Sequence, residues 1–360
     1  MDHTRDADAY MVPLTPASVG SGSYLGGPDI GSVVASDVTG VTPSSGGSSG
    51  KSLVQNPLYR IAYLADNKIF LRDREEYPKH IGSLVGEMGK DRDSPGPSPD
   101  DVWQDLSLRK LELGAAESTV ERYFCTNLLP NPGPTESLMC SYRQPMHRHA
   151  VPNTGSNFKI STPVPDMAYG YNRETAFTGA HQTLLLTESS VAANVHDLLY
   201  PFLVIEFKGD SPSGSGSLWV ATNQCMGGSV SCVNVAERFN HRLGHYQSDE
   251  VQPSNTAAFS IAMSGTEARI FVSWKHDEGK YYVQKVDSFL LQSPEGYLKF
   301  RKFVLNIIDW GRGRRLNEIR KSLDTLMEES RKGPPKLAKA RPSPLAGSET
   351  RPSKKLKLSA

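Results

Sequence analysis

The segment YPFLVIEFK, residues 200–208, restricts the possible folds more than any other part of the chain. Its aromatic and β-branched residues run on without the polar alternation of a half-exposed strand, so it is expected in the middle of a sheet covered on both faces. Within a strand successive side chains alternate, so Glu206 and Lys208 share one face and Phe207 takes the other. Two opposite charges on an otherwise apolar strand call for an explanation, because buried charge is costly unless it is paired or holds a metal. On a surface strand the same residues would be an ordinary cross-strand ion pair.

The rest of the chain supplies the partners such a strand needs. AAFSIAM, ARIFVSW and YYVQKVDSFLL alternate in polarity and are separated by the turns SGTE and KHDEGK, which predicts three consecutive strands. PDMAYGY at 165–171 reads as a further short strand, and residues 218 to about 244 as a buried helix whose Gly227, Gly228 and Ser229 let it lie close on the sheet. AAESTVERYFCTN, with Val120, Tyr123 and Phe124 at helical spacing, predicts the first helix of the main domain. IGSLVGEM is helical as well, and the Asp residues that end DRDSPGPSPDD are positioned to cap another helix. Leu298, Phe300, Phe303, Val304, Ile307 and Ile308 form one face of an amphipathic helix, which GRGRR is expected to interrupt before a last charged helix, LNEIRKSLDTLMEES. The order of helices and strands predicts an α/β fold, more narrowly an α+β mixed sheet flanked by helices. The expected divisions are a disordered Gly/Ser/Pro-rich arm at 1–54, an accessory helical segment at 55–114, the main domain at 115–328 and a disordered basic tail at 329–360.

Hydrolysis of a phosphodiester explains a Glu and a Lys on one buried face. Two carboxylates hold a hard divalent cation through oxygen, and a nearby ammonium positions the attacking water or offsets charge on the phosphorane. The second carboxylate has to come from elsewhere, and Asp166 is the best candidate, since it follows Pro165 and opens a strand that can lie beside that of Glu206. Forty positions separate the two, which requires an insertion, expected to be helical, between their strands.

Pro165-Asp166 followed by Glu206-x-Lys208 and a helix bearing Gln224 resembles the PD-(D/E)XK nuclease pattern. More closely, PDMAYGY, LLYPFLVIEFKGDSPSGSGSLWVATNQC, CVNVAERFN and FRKFVLNIIDWGRGRRLNEI resemble an uncharacterised fungal family described as PD-(D/E)XK nuclease-like. DSPGPSPDDVWQDLSL extends the similarity, which runs over roughly residues 56 to 325. The resemblance implies a restriction-endonuclease-like core and a nuclease using Mg²⁺ or Mn²⁺. It implies Asp166 and Glu206 as metal ligands, Lys208 as the catalytic lysine, and Gln224 as an assisting residue on the next helix. Family patterns often add an acid on the first helix, where Glu121 is preferred over Glu117, one turn away. The implied substrate is nucleic acid, DNA before RNA. The alternative is a catalytically inactive nuclease-like fold acting as a nucleic-acid-binding or nuclear interaction protein.

Charge is distributed unevenly. Residues 331–360 carry nine Lys or Arg against one Glu, whereas the preceding 330 residues carry 31 basic and 38 acidic groups. The tail, ending in PSKKLKL, therefore suits nuclear import machinery acting through Lys354, Lys355 and Lys357, or loose phosphate contact. No run of apolar residues is long enough to span a bilayer and the start lacks the apolar region of a secretory signal, so a nuclear or cytoplasmic protein without membrane partners is expected. Cys125, Cys140, Cys225 and Cys232 show no CxxC spacing and are expected as buried reduced thiols. His241 with His245, and His147 with His149, lack a third ligand at a recognisable interval. GSGS at 214–217 lacks the GK[ST] of a phosphate loop and reads as a flap, and GRGRR at 311–315 as a phosphate contact or a solvated junction.

Overall fold

The computed structural model describes residues 52–187, 191–210, 217–244, 254–276 and 279–332. Among them are the strands β1 (Ile69–Arg72), β2 (Leu138–Tyr142), β3 (Met167–Tyr171), β4 (Leu199–Phe207), β5 (Ala258–Met263), β6 (Glu267–Lys275) and β7 (Tyr281–Leu290). They form one seven-stranded sheet in the order β1-β7-β6-β5-β4-β3-β2. β1 with β7 and β4 with β5 are parallel, and the remaining neighbours are antiparallel. The sheet is therefore mixed, and helices flank it in an α/β arrangement.

The helices are α1 (Lys79–Met88), α2 (Pro99–Gln104), α3 (Leu106–Leu111), α4 (Glu117–Asn127), α5 (Arg173–Ala176), α6 (Gly179–Thr187), α7 (Leu218–Leu243), α8 (Pro294–Trp310) and α9 (Leu316–Lys332). All nine residues of β4 are buried, as an uninterrupted apolar run between two partner strands requires. Parallel β4 and β5 need a crossover, and α7 provides it. It lies directly on the sheet: a Cβ on Gly228 would stand 3.4 Å from Val204 Cγ2, and Ser229 Oγ meets Ser273 Oγ on β6 at 2.7 Å. Val204, Ala262, Cys225, Met226 and Val230 belong to the apolar layer on this side. On the other side Ile205, Phe207 and Phe259 pack with Phe124 of α4, Phe300 and Val304 of α8 and Leu323 of α9.

Caps follow local chemistry. Ser98 accepts from the Asp101 backbone N–H at 3.1 Å while the Asp101 carboxylate accepts from Ser98 N–H at 2.8 Å, a capping box that starts α2. Asp105 then caps α3 through Ser107 and Leu108 N–H. The interval between β3 and β4 holds the helices α5 and α6, the helical insertion the sequence calls for.

Three features depart from the sequence reading. β1 and β2 are short edge strands in stretches read as helical or loop-like, and the segment before residue 115 thus joins the sheet through β1. GRGRR does not break the helix: Gly311–Arg315 continues α8 into α9 as a widened π-helical turn. There a Cβ on Gly311 would stand 2.1 Å from Phe202 Cζ, so the missing side chain admits the Phe202 ring. Cys225 and Cys232 are buried, but Cys125 and Cys140 are only partly so; all four are free thiols.

Among the described residues no helix is long and apolar enough to cross a membrane. The N-terminal arm through residue 51, the loop 211–216 containing most of GSGS, His245, and the tail from 333 onward with Lys354, Lys355 and Lys357 lie outside the described residues.

Candidate functional site

Strand pairing decides what the Glu206 carboxylate faces. In the antiparallel β3 and β4 pair, Met167 stands opposite Ile205 and Ala168 opposite Val204. Continued by one residue, this register sets Asp166 against Glu206. A hydrogen bond carries the alignment past the end of β3, with Phe207 N–H donating to Asp166 Oδ2 at 2.9 Å. Directly opposed residues place their Cβ atoms about 5 Å apart on the same face. Two carboxylates from positions 40 apart in sequence are thus adjacent in space. The row continues across the sheet, since Glu206 pairs with Ala262, whose methyl leaves room on the α7 side.

That side is where α7 approaches. Gly228 packs on Val204 and Pro165, and Gln224 stands one turn earlier on the same helix, on the side toward Glu206. Gln224 Oε1 and Glu206 Oε2 are both buried without a hydrogen-bond partner among the described residues. Cys225 is the nearby thiol, and burial with the Glu206 charge raises its pKa well above the usual range.

Lys208 follows the strand. Its backbone N–H donates to Met263 O at 2.8 Å, and its ammonium lies 3.5 Å from Glu117 Oε2 at the start of α4. Gly209 brings these elements together, because a Cβ there would stand 2.6 Å from the Glu117 backbone nitrogen and 2.9 Å from Ala115 O. Asp210 N–H also donates to Ala115 O, at 3.1 Å. Only a residue without a side chain permits so close a junction.

Arg143 completes the cluster. It follows β2, adopts φ 48, and its backbone N–H reaches Pro165 O at 3.0 Å and Asp166 O at 3.3 Å. Its guanidinium is bound through Nη2 to Glu121 Oε2, with Nε 3.6 Å from Asp166 Oδ1. Glu121 therefore faces Arg143, whereas Glu117, one turn earlier, faces Lys208. Arg143 was not singled out from the sequence; an arginine in a loop 23 residues before Asp166 gives no local signal of this contact.

The electrostatics follow from burial. Glu206 is almost fully inaccessible, and its pKa is pushed well above the ordinary carboxylate range, first by desolvation and then by Asp166, against the opposing pull of Lys208. Burial likewise raises Asp166, opposed by Lys208, the Phe207 N–H and Arg143. Counted formally, Glu117, Glu121, Asp166 and Glu206 against Lys208 and Arg143 leave a surplus of two negative charges, the charge of one divalent cation.

Among the described residues no three His, Cys, Asp or Glu side chains converge in a way that could hold a metal. Mg²⁺ commonly takes one or two protein carboxylates and keeps water on its other positions. Asp166 and Glu206 fit that pattern as hard oxygen donors, and the unpartnered Glu206 Oε2 is a free lone-pair site.

The other sequence candidates are elsewhere. The His147 and His149 rings stack at 5.3 Å, and His149 Nε2 lies 2.9 Å from Ala192 O. His241 lines an open depression with Asn234, Glu237, Arg238 and Lys275, about 25 Å along α7 from Gln224 at 1.5 Å per residue. In GRGRR, Arg312 binds Glu136 at 3.0 Å, Arg314 binds Glu87 at 2.6 Å, and Arg315 is buried.

Residues 125–323, more than half of the chain, match the family described as a domain of unknown function, DUF7924. No curated protein matches the chain.

Proposed function

The chain belongs to the DUF7924 family, a membership that brings no activity with it, and from the site we propose that this protein is a divalent-metal-dependent nuclease of the PD-(D/E)XK kind. The observation that carries the reading is the buried, facing pair Asp166 and Glu206, held in register by the Phe207 N–H bond to Asp166, with Glu206 Oε2 unpartnered among the described residues and Lys208 directly after the strand. Asp166 and Glu206 would hold Mg²⁺ or Mn²⁺, which when bound supplies Lewis-acid polarisation of a phosphate oxygen and lowers the pKa of a water ligand.

The chain's own groups do the remaining work. The Lys208 ammonium, on a side chain 8% exposed and 3.5 Å from Glu117 Oε2, orients the attacking water and offsets charge growing on the phosphate. Gln224 Oε1 accepts a hydrogen bond from that water, which supplies the partner this buried oxygen otherwise lacks. The apolar walls from β4 and α7 keep bulk water out and so strengthen each of these charge interactions.

The test incubates the purified full chain with plasmid and single-stranded substrates, with and without Mg²⁺ or Mn²⁺, beside Glu206→Ala and Lys208→Ala. Metal-dependent cleavage that either variant lowers by 10²-fold or more is the expected result. Equal cleavage by wild type and both variants overturns it. One observation favours a second reading, a nuclease-like fold that holds nucleic acid without cutting it: the Asp166 oxygens already face Phe207 N–H and Arg143. Binding without metal-dependent cleavage selects that alternative.

A further inference from the structure

Resting on the nuclease reading, we infer that Arg143 is the residue that takes hold of the substrate phosphodiester, and that in the free protein its guanidinium is bound to Glu121 beside Asp166. Lys208 cannot make first contact, since its side chain is only 8% exposed, whereas that of Arg143 is 50% exposed beside the same carboxylates. Two of the three guanidinium nitrogens face protein acids, Nη2 on Glu121 and Nε toward Asp166 at 3.6 Å, and half of the side chain is in water.

The backbone holds this arrangement in place. A left-handed φ of 48 is unfavourable for a residue with a Cβ, and it persists because the Arg143 N–H reaches back to Pro165 O and Asp166 O. The turn that carries Asp166 therefore carries Arg143 with it.

The two contacts are unequal. The Glu121 bond is close and direct, while the Asp166 contact is longer and competes with any cation that Asp166 binds. Were Asp166 and Glu206 to hold a divalent ion, the Asp166 charge would be shared with it, and the guanidinium edge facing Asp166 would be left for the substrate phosphate. Glu121 remains as a tether that keeps the fork aligned, and a planar fork suits two phosphate oxygens where an ammonium meets only one.

The test uses the full chain with Lys208→Met to suppress cleavage, and compares Arg143, Arg143→Met and Arg143→Lys. A fluorescent oligonucleotide is titrated in Mn²⁺ at several salt concentrations, and Mn²⁺ alone is titrated by calorimetry. Arg143→Met is expected to weaken oligonucleotide binding roughly tenfold or more and to reduce the salt slope by about one. It should also tighten Mn²⁺ binding severalfold, because a competing cation has gone. Arg143→Lys should keep the slope but lose affinity, and it serves alone if the Met variant does not fold.

A purely structural arginine would lower the thermal midpoint and leave the salt slope and Mn²⁺ affinity unchanged. That result overturns the inference, as does a Met variant that binds the oligonucleotide as tightly as the parent. If the Arg143 parent binds no Mn²⁺, the nuclease reading itself falls and the inference with it. If it binds Mn²⁺ but not the oligonucleotide, only the inference falls.

Discussion

Glu206→Gln should make the metal-free protein less sensitive to pH, by an amount the site itself sets. Glu206 is enclosed by β4, β5 and α7, and burial together with Asp166 raises its pKa well above the ordinary value of 4.5. A carboxyl that keeps its proton in the folded state after the unfolded chain has lost it stabilises the fold fully below the unfolded pKa. That stabilisation is lost as pH rises toward the folded pKa. The loss is at most about 1.36 kcal/mol per pH unit for one group. Between pH 5 and 6 wild type should therefore lose stability that the glutamine variant keeps, by no more than about 1.4 kcal/mol, measured by urea unfolding in EDTA. The constant cost of burying an amide cancels in the comparison between pH values. Saturating Mg²⁺ at 100 times its dissociation constant should return about 2.7 kcal/mol to wild type and nothing to the variant. Stability curves that run parallel from pH 5 to 6 would refute the claim that burial raises the Glu206 pKa.

Two other substitutions test the frame of the site. Gly209→Ala puts a methyl 2.6 Å from the Glu117 backbone nitrogen, so α4 must retreat from the end of β4; a loss of about 1–3 kcal/mol in urea unfolding is expected, with weaker Mn²⁺ binding. Arg315→Ala removes a buried guanidinium that donates to Tyr200 O at 3.0 Å and lies over the Tyr171, Phe202 and Trp310 rings. It should cost about 3–5 kcal/mol by the same measurement, and a cost under 1 kcal/mol would show that this junction does not hold α8 and α9 to β3 and β4.

The parts of this protein that the sequence settled are those governed by local periodicity. The uninterrupted apolar run of YPFLVIEFK made β4 an interior strand, alternation made β5 to β7 a meander, and the period-2 geometry of any strand put Glu206 and Lys208 on one face. The edge strands were different: IFLR and LMCSY are too short to carry an alternation signal, and only the neighbours β7 and β3 draw them into the sheet. GRGRR reads as a break because its two glycines disfavour a helix, yet the Phe202 ring fits against Gly311 and the aromatic cage accepts Arg315.

The candidate site divides along the same line. Asp166 could be named from Pro165-Asp166 and its short strand, but its place opposite Glu206 depends on a register between strands separated by the α5 and α6 insertion. The choice between Glu117 and Glu121 depends on how α4 is rotated about its axis, and Gly209 fixes that by drawing Ala115 and Glu117 against the end of β4. Arg143 reaches the carboxylates through a left-handed turn at the end of β2 that no local pattern announces. Alternation within one strand is a property of the covalent chain, whereas contacts between charges on β2, β3, β4 and α4 exist only once burial of the two apolar layers has set strand register and helix rotation.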